Sequence, residues 1–405
     1  MLRNRYAPTK KLDGHVMQQA NRALVLKLVR TEPAQSRVDL VRKTGLSPAT
    51  ITDIVDHLLR EGLVREDGAA VTGAVGRRPL QLAFNPDARL ALGIDVDVRE
   101  VRVALVNLGG TARSIQCAPV PHGAGPEEVL DIAASLARQA LRDVPTTAVL
   151  GVGMAVPGMV QWPKGINLFS PSFGWRDIPI RSLIEERLGQ PVLVDNEVRA
   201  FALAEHYFGA ARHARNVVFL DVSYGVGGAI IIEGNLYRGT HGTAGELGHN
   251  IVMLDGPRCG CGNYGCLASF ASASGLVARC LDALANGGSS TLATVPSDVL
   301  TLDHIVAAAD AGDVLTRELL AHAVMYLGLT VANAVDNWDP ELVVLGGSVI
   351  RTGGSFFTDL LAVEQRVVLE TARARVQVVH SALDVEAEII GAATLVIADY
   401  LTEPV

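Results

Sequence analysis

Apolar residues recur at helical spacing in two short segments near the N-terminus. In the first segment the apolar positions are Leu24, Val25, Leu28 and Val29. This spacing predicts an amphipathic helix between Asn21 and Arg30. A second short helix is predicted from Ser36 to Thr44, because Gly45 ends the pattern.

The third segment, LSPATITDIVDHLLREGLV, carries its own start signal. Ser47 is a natural N-cap and Pro48 suits the first helical position. The predicted buried stripe consists of Ile51, Val55, Leu58 and Leu59. The outward face of the first turns then holds Pro48, Ala49, Thr50, Thr52 and Asp53. A helix, a glycine turn and a second helix with a small polar N-terminal face predict a helix-turn-helix whose second helix enters a DNA major groove.

Two short β runs follow Gly62 in LVREDGAAVTGAVGRRPLQLAF. The loop between them carries Arg77 and Arg78, which are suited to phosphates or to a narrow minor groove. The segment therefore predicts a winged helix-turn-helix DNA-binding domain over residues 1–84. Its predicted DNA contacts are Ser47, Pro48, Ala49, Thr50, Thr52, Arg77 and Arg78. Small three-helix units also serve as protein interaction modules, which is the alternative.

Beyond Pro86 the pattern changes to alternating strands and helices. Buried strands ending in glycine loops are predicted within ALGIDVDVREVRVALVNLGG, GVGMAVPG, VVFLDVSYGVGGAIIIEG and ELVVLGGSVI. Helical patterns lie between them at Pro126–Arg142, Val198–Phe208 and Asp313–Trp338. The alternation predicts an α/β fold with two lobes.

Charge is distributed unevenly along the 405 residues, a length that suggests two or three domains. Residues 1–80 hold 14 Lys and Arg against 8 Asp and Glu, whereas the rest holds 21 against 35. A basic module on an acidic body is typical of a nucleic-acid-binding head on a ligand-binding body.

The sequence also bears on location. No apolar run reaches the roughly 18 residues that a membrane span needs, and the start MLRNRYAPTKKLDG lacks the apolar middle of a signal peptide. We therefore expect a cytoplasmic protein with no membrane partner, whose cysteines are thiols or metal ligands.

Three of the five cysteines lie close together in HNIVMLDGPRCGCGNYGC. The predicted donors are His249, Cys259, Cys261 and Cys266. Zinc takes four such N and S ligands in a closed tetrahedral structural site, and the glycines allow the tight return. The alternative is a set of free thiols beside a core histidine. Cys117 and Cys280 are predicted to be ordinary buried residues.

The runs GTHGTAGELGHN and CGCGNYGCLASFAS resemble the signature of the ROK family of repressors and sugar kinases. Residues 15 to 80 resemble the winged-helix head of its transcriptional regulators, so that the resemblance covers nearly the whole chain. It implies an actin-like, two-lobed sugar kinase fold over residues 85–405. Lobe one is expected at about 85–200 plus a C-terminal helix at about 386–402, and lobe two at about 201–385 with the zinc site.

The resemblance also implies a sugar pocket between the lobes. Glu246 and His249 would bond sugar hydroxyls, joined by Asn196 at a strand end and by Glu197. Ser172 stands where the family commonly has an asparagine. A purely structural alternative is open for two of these positions, since Glu246 would also suit a helix start and Asn196 a turn.

Several positions depart from the kinases of the family. Glu197 stands where they carry an Asp as general base, and Arg199, which adds a cation near the pocket, replaces an asparagine. The phosphate loop reads Asp95, Val96, Asp97, Val98, Arg99 in place of paired glycines. Ala268 replaces a sugar-binding glutamate. Bulk and negative charge where phosphates should lie predict a protein without catalytic residues or kinase activity.

We therefore expect a DNA-binding regulator, in this family most often a repressor of sugar uptake or catabolism genes, whose operator affinity changes when a sugar or sugar derivative binds the cleft. A homodimer or homotetramer would match a palindromic operator. The alternatives are an ATP-dependent sugar kinase with an extra head, and a regulator controlled by a partner protein.

Overall fold

The computed structural model describes residues 14–69, 80–353, 355–383 and 386–402. Its N-terminal part contains three helices and a small sheet: α1 (Gly14–Thr31), β1 (Gln35–Ser36), α2 (Arg37–Thr44), α3 (Pro48–Arg60), β2 (Val64–Ala69) and β3 (Leu80–Phe84). The three strands are antiparallel in the order β1, β3, β2. The three helices and strands β2 and β3 follow the order that the sequence predicts, whereas β1 was not predicted. Arg77 and Arg78 lie outside the described residues.

Local capping explains where α2 and α3 begin and end. The Ser36 hydroxyl accepts from the Asp39 backbone N–H while the Asp39 carboxylate accepts from the Ser36 N–H, which forms a capping box. Gly45 ends α2 in the left-handed conformation, at φ 71°. The Ser47 hydroxyl then accepts from the Thr50 N–H and starts α3.

The buried face of α3 differs slightly from the prediction. It consists of Ile51, Ile54, Val55 and Leu58, at positions i, i+3, i+4 and i+7 of one helix face. Leu59, which the sequence analysis placed in the stripe, is only half-buried. On α1, likewise, Leu26 is buried and Leu24 is exposed.

The body contains two five-stranded sheets with the same topology. The elements of the first half are β4 (Leu90–Val96), β5 (Glu100–Asn107), β6 (Ala112–Pro119), α4 (Pro126–Leu141), β7 (Val149–Val156), β8 (Met159–Gln161), β9 (Ile166–Ser170), β10 (Trp175–Ile178), α5 (Ile180–Leu188), β11 (Val192–Asn196) and α6 (Glu197–Phe208). Those of the second half are β12 (Val217–Val222), β13 (Val226–Ile232), β14 (Asn235–Leu236), α7 (Leu267–Ala271), α8 (Ala273–Ala285), α9 (Leu302–Asp310), α10 (Val314–Trp338), β15 (Leu342–Gly346), α11 (Phe356–Val367), α12 (Glu370–Arg373), β16 (Gln377–His380) and α13 (Ala387–Thr402).

In each sheet the first strand is central. The first sheet has the order β11, β7, β4, β5, β6 and the second the order β14, β13, β12, β15, β16. In both, the first three strands are antiparallel neighbours and the last two add in parallel on the other side. The carboxyl ends of the parallel strands therefore meet at one edge of each sheet, where ligands bind in open α/β sheets. A third, small antiparallel sheet has the order β10, β9, β8.

Helices α6 and α13 pack against each other between the two sheets. Glycines allow the close approach: a Cβ on Gly391 of α13 would lie 2.5 Å from the Ala200 carbonyl carbon of α6, and one on Gly153 of β7 would lie 1.9 Å from the Ala392 oxygen. The side of α6 that carries Val198 and Ala202 packs in the core of the second sheet.

Helix α10 is the one described helix long and apolar enough to cross a membrane, and 56% of its most apolar window is buried. Core helices of globular domains meet the same criteria, and α10 packs against α11 and α7 in the core of the second half.

The structure corrects one prediction about the isolated cysteines. Cys280 is buried, as expected, but Cys117 is exposed. Cys117 lies on β6, an edge strand of the first sheet, whose central residues point mostly to solvent.

Candidate functional site

The four predicted metal donors lie together. Their ligand atoms are all within 4.8 Å of one another. The Cys259 Sγ lies 3.7 Å from His249 Nδ1, and the Cys261 Sγ lies 3.7 Å from the Cys266 Sγ. Two sulfurs bound to one tetrahedral zinc at about 2.3 Å would be roughly 3.8 Å apart, whereas a disulfide would need about 2.05 Å. The cluster therefore has the spacing of a tetrahedral metal site.

The surroundings of the cluster favour neutral donors when no metal is bound. Burial raises the pKa of Cys266 to about 12 and also raises the pKa of Cys259, and the neighbouring thiols add to both shifts. Burial lowers the pKa of His249, so that its ring stays neutral and can donate a lone pair. A metal binding here must displace thiol protons.

His249 ties this cluster to the neighbouring cleft. It is the last residue of a single 3₁₀ turn, Leu247–His249. The His249 backbone N–H donates to the Glu246 carbonyl at 3.0 Å. Because Nδ1 faces Cys259, the other ring nitrogen is left for a different partner. A metal that fixes His249 therefore also fixes the backbone at Glu246.

Carboxyl groups from four elements face one another beside this turn. Asp95 lies near the end of β4, Glu197 begins α6, Asp221 lies near the end of β12, and Glu246 precedes the 3₁₀ turn. The charges of the other three all act on Glu197 and raise its pKa, after burial, which is the largest cause. Two strand ends, one helix N-terminus and one loop therefore converge on one acidic cleft.

Glu197 is the central group of this cleft. Its Oε2 atom is buried and has no hydrogen-bond partner in the part of the chain that the structure describes. A buried polar atom without a partner costs about 1–3 kcal/mol, which a ligand hydroxyl would offset. Glu246 also makes no hydrogen bond through its carboxylate within the described ranges, and burial raises its pKa, with Arg199 opposing.

The other two acids of the cleft, Asp95 and Asp221, also have raised pKa values. Burial raises the pKa of Asp95 to about 7, which Arg102 opposes and Glu388 reinforces. Burial and Glu388 raise the pKa of Asp221 to about 7 as well. Arg102 Nη2 donates to Asp95 Oδ2 at 2.7 Å and to Glu388 Oε2 at 3.3 Å. Glu388 at the start of α13 thus faces acids of both sheets.

Asn196 is engaged mainly with the backbone. Its Oδ1 accepts from the N–H groups of Val198 and Arg199 at 3.0 and 3.2 Å, which caps α6. Its Nδ2 donates to the Gly158 carbonyl at 2.9 Å. One amide N–H is left without a described partner, so the capping role does not exclude the predicted sugar contact.

The Arg199 cation is directed away from solvent. Its side chain is 1% exposed, and Nη1 donates to Asp195 Oδ1 at 3.1 Å and to the Val160 carbonyl at 3.2 Å. Nη2 donates to the Gly242 carbonyl. The sequence analysis placed a cation near the pocket; the structure adds that this cation is already paired.

A second arginine completes this pairing. Arg238 Nε donates to Asp195 Oδ2 at 2.9 Å, and its guanidinium lies 4.1 Å from the Trp162 ring centroid. Asp195, which is fully buried, therefore lies between one arginine from α6 and one from the loop after β14. We call Asp195, Arg199 and Arg238 the buried ion network. The sequence analysis missed it, since nothing in the local pattern pairs β11 with that loop.

The phosphate-loop position forms a closed turn between β4 and β5. The Asp97 carboxylate accepts from the Arg99 N–H at 3.0 Å, and the Asp97 N–H donates to the Glu100 carbonyl at 2.9 Å. The turn satisfies these backbone groups itself and places a carboxylate where a kinase presents bare amides.

The later glycine loop has a packing role. A Cβ on Gly227 would lie 2.4 Å from Val198 Cγ2, and one on Gly228 would lie 2.6 Å from the Gly245 carbonyl oxygen. Side chains at these two positions would push away α6 and the loop that carries Glu246. These glycines are required for packing, whether or not phosphate binds.

The remaining predicted positions lie at the surface. Ser172 is exposed in the turn between β9 and β10, with its hydroxyl 3.2 Å from that of Ser170. On α3, Ser47, Pro48, Ala49 and Thr52 are exposed, and Thr50 is half-exposed with its hydroxyl bonded to that of Ser47 at 2.8 Å. Most of the N-terminal face of α3 is therefore exposed with respect to the residues that the structure describes.

Comparison with known proteins places this architecture in a family. The ROK family profile matches residues 91–399, and the chain belongs to the ROK family. Among curated relatives, the xylose repressor of Caldicellulosiruptor bescii is 31% identical over 397 residues, covering 96% of this chain and 98% of that protein. The transcriptional dual regulator NagC of Escherichia coli is 29% identical, covering 94% and 93%.

Solved structures agree on both parts of the chain. A ROK family transcriptional regulator described as a homologue of the E. coli MLC protein superposes with a TM-score of 0.80 at 28% identity, covering 96% of this chain and 97% of the other. A ROK glucokinase from Streptomyces griseus, solved with glucose and a nucleotide analogue, gives 0.65 at 29% identity over 76% of this chain and 98% of the kinase. The regulator match thus extends over a larger share of this chain than the kinase match does.

Proposed function

We propose that this protein is a DNA-binding transcriptional regulator, acting as a repressor, whose operator affinity is set by a sugar or sugar derivative in the acidic cleft. The observation that carries the proposal is the union of an exposed α3 face with a cleft whose central carboxylate, Glu197, has an unsatisfied buried oxygen. Relatives along nearly the whole length are named xylose repressor and N-acetylglucosamine repressor.

The proposed DNA contacts begin at the N-terminal face of α3. Small and hydroxyl side chains there suit base edges and phosphates in a major groove, and the basic pair of the wing suits the backbone. The residues assigned to the operator are Ser47, Pro48, Ala49, Thr50, Thr52, Arg77 and Arg78. A dimer on a palindromic operator would space two such helices by about one helical turn of DNA.

The proposed effector is bound by hydroxyl-recognising groups. Glu197, Glu246 and the second ring nitrogen of His249 offer acceptors or donors, and Asn196 offers one amide N–H. Ser172 is retained as an outer contact. Because the cleft is lined by carboxyls and its arginines are paired with them, we expect a neutral sugar to bind more tightly than its phosphate ester.

We infer that the protein does not phosphorylate this sugar. Asp97 fills the phosphate turn with a carboxylate, and Glu197 carries the base position on a longer side chain. Displacing a catalytic group by about 1 Å can cost roughly 100-fold in rate. We further infer that the protein acts in the cytoplasm.

Zinc is the proposed structural metal. Three thiolates and one imidazole at tetrahedral spacing match its preferred ligands, and no fifth donor is needed. When bound, it would hold the Cys259–Cys266 loop and, through His249, the position of Glu246.

Selection of sheared genomic DNA by the purified protein, with and without a panel of neutral sugars, tests the proposal. A palindromic site whose recovery changes with one sugar is expected.

The Glu246→Gln variant tests the cleft itself. It should still bind that site but require about tenfold more sugar, since one charged hydrogen bond is weakened. Glu186→Gln, an exposed position on α5, is the matched control. Recovery of no specific site, or a site indifferent to every sugar, would refute the proposal.

The second candidate is a sugar kinase with an accessory head. It is favoured by the carboxylate retained at Glu197 and by the similarity to the S. griseus glucokinase. A kinase would convert ATP to ADP only when the sugar is present, and the Glu197→Gln variant would lose this activity. We expect no such conversion by the wild-type protein.

A further inference from the structure

We propose, on the basis of the function proposed above, that Arg22 and Arg30 of α1 are positioning residues: they seat the winged-helix head on the body and thereby fix the orientation of the recognition helix α3. Neither residue needs to touch DNA for this role. The seat consists of Tyr207 at the end of α6 and Tyr400 near the end of α13.

Both arginines lie on aromatic rings of the body. The Arg30 guanidinium carbon is 5.1 Å from the Tyr207 ring centroid, and that of Arg22 is 6.0 Å from the Tyr400 ring centroid. A cation held over an aromatic face within about 6 Å is attracted by the negative face of the ring. The head is thus held at two points that are two helical turns apart on α1.

Apolar contact surrounds these two points. Val25, Leu26 and Val29 of α1 belong to the same buried hydrophobic cluster as Tyr207 and Leu401. The core of the head therefore continues into the body without an intervening polar layer. A head that swings freely on a linker would not show such a continuous core.

The contact extends from α1 to the recognition helix. Arg22 Nη2 donates to Glu61 Oε2 at 2.6 Å, and Glu61 is the residue that caps the C-terminal end of α3. One guanidinium thus touches the Tyr400 ring of the body and the end of α3. A shift of α13 relative to the head would change the support of α3 directly.

Arg30 is held differently. It has no carboxylate partner among the residues that the structure describes, and burial lowers its pKa, which the nearby Tyr207 opposes. Arg212 lowers the pKa further, and the contact that holds the Arg30 guanidinium on the body is the Tyr207 ring at 5.1 Å. Its position therefore depends on where α6 places Tyr207.

The opposite ends of the same two helices lie at the cleft. Helix α6 begins with Glu197, and α13 has Glu388 in its first turn, facing Asp95 and Asp221. Their lengths of 12 and 16 residues correspond to about 18 and 24 Å. The two helices thus connect the effector cleft to the seat of the head as single rigid elements.

The test uses the full-length protein, the operator recovered by the selection above, and no effector. Arg22→Gln and Arg30→Gln are each expected to weaken operator binding about tenfold while leaving unchanged the slope of log K against log salt concentration. A phosphate contact would instead lower that slope by about 0.9 for each arginine lost. An unchanged Kd, or a reduced slope, would overturn the positioning role.

The same seat can be altered from the body side. Tyr207→Leu combined with Tyr400→Leu should reproduce the weaker binding and should speed amide hydrogen exchange in α1 and α3. The pair Tyr207→Phe and Tyr400→Phe keeps both ring faces but removes the Tyr400 hydroxyl that bonds Arg22, and it should lose less affinity than the leucine pair. Wild-type exchange and affinity in the leucine variant would refute the proposal even if the arginine variants were impaired.

A control variant distinguishes the loss of a positive charge in general from the loss of a charge at the seat of the head. Arg113→Gln removes an exposed body arginine that pairs with Asp87 at 2.6 Å, and it should change neither Kd nor slope. If the wild-type protein recovers no operator, the proposed function itself fails; an operator that every variant binds with wild-type affinity would refute the positioning role alone.

Discussion

At the scale of single residues, the metal cluster shows which chemistry can be recognised from sequence spacing. Three thiols and an imidazole within one loop are unusual enough to predict shared ligation, and the structure places their donor atoms 3.7 Å apart in two pairs. Loop closure over so few residues costs little entropy, so local spacing largely determines the geometry.

Cys261→Ser tests this cluster. The zinc content should fall from about one ion per chain to near zero, and the melting temperature should drop by roughly 5 °C or more, because the loop that holds His249 loses its anchor. Metal analysis of the purified protein and thermal unfolding measure the two effects. Cys117→Ser, at the exposed position on β6, is the control and should change neither. Full metal retention in Cys261→Ser would remove it from the ligand set.

Arg199 and Asn196 show what spacing does not reveal. Asp195 accepts from residues 4 and 43 positions away in sequence, and only the second of these contacts closes the buried ion network. The sequence analysis recognised the charge of Arg199 but not its partner, since that partner depends on which loop packs against β11. For Asn196 the sequence analysis offered a turn as the alternative, whereas the structure shows that this residue caps α6.

At the scale of elements, start and stop signals predict α2 and α3 well, because caps act within a few residues. The buried face of α3 was predicted with one error: it contains Ile54, whereas the sequence analysis had placed Leu59 there. Packing between α6 and α13 was not predicted, since it depends on Gly391 and Gly153 meeting backbone from distant segments.

Helix α6 also carries a group that should make the seat of the head sensitive to pH. Burial lowers the pKa of His206, the Ala211 backbone opposes this, and Lys27 and Arg30 of α1 lower the pKa further. Its Nδ1 is buried without a hydrogen bond in the described structure. A proton added to this ring would face two cations of the head.

The sign of the effect follows from the lowered pKa. The unfolded chain takes up this proton near its ordinary value of 6.5, before the folded chain does. Stability is therefore present above that pH and is lost as the pH falls below it, by up to about 1.4 kcal/mol per pH unit until the folded pKa is reached. Urea unfolding at pH 7.5 and 5.5 should show a smaller loss in His206→Gln than in the wild type, with exposed His122→Gln as control. Equal losses in all three would exclude His206 as the cause.

At the scale of the whole molecule, the two sheets repeat one topology and the cleft lies between their carboxyl edges. The alternation of strands and helices predicts two lobes, and the family resemblance names their fold. The repeat itself was not visible in the sequence, because the two halves share strand order and direction and not a periodic motif.

The buried ion network joins these halves. Asp195→Asn would leave Arg199 and Arg238 without a counter-charge, one of them fully buried, and should lower the free energy of unfolding by about 3–5 kcal/mol. Glu233→Gln removes an exposed partner of Arg215 and should cost less than about 1 kcal/mol. Urea denaturation measures both. A loss below 1 kcal/mol in Asp195→Asn would show that the network does not stabilise the joined lobes.

The seat of the head has a consequence for the order in which the protein is made. Helix α1 ends at Thr31, whereas α13, which supplies Tyr400 and covers the first sheet, begins only at Ala387. During translation the head emerges and forms its own helices long before the surface that supports it exists. An incomplete chain still attached to the ribosome therefore lacks the contacts of Arg22 with Tyr400. If the seat is required for tight operator binding, an unfinished chain binds the operator less tightly than the complete protein does.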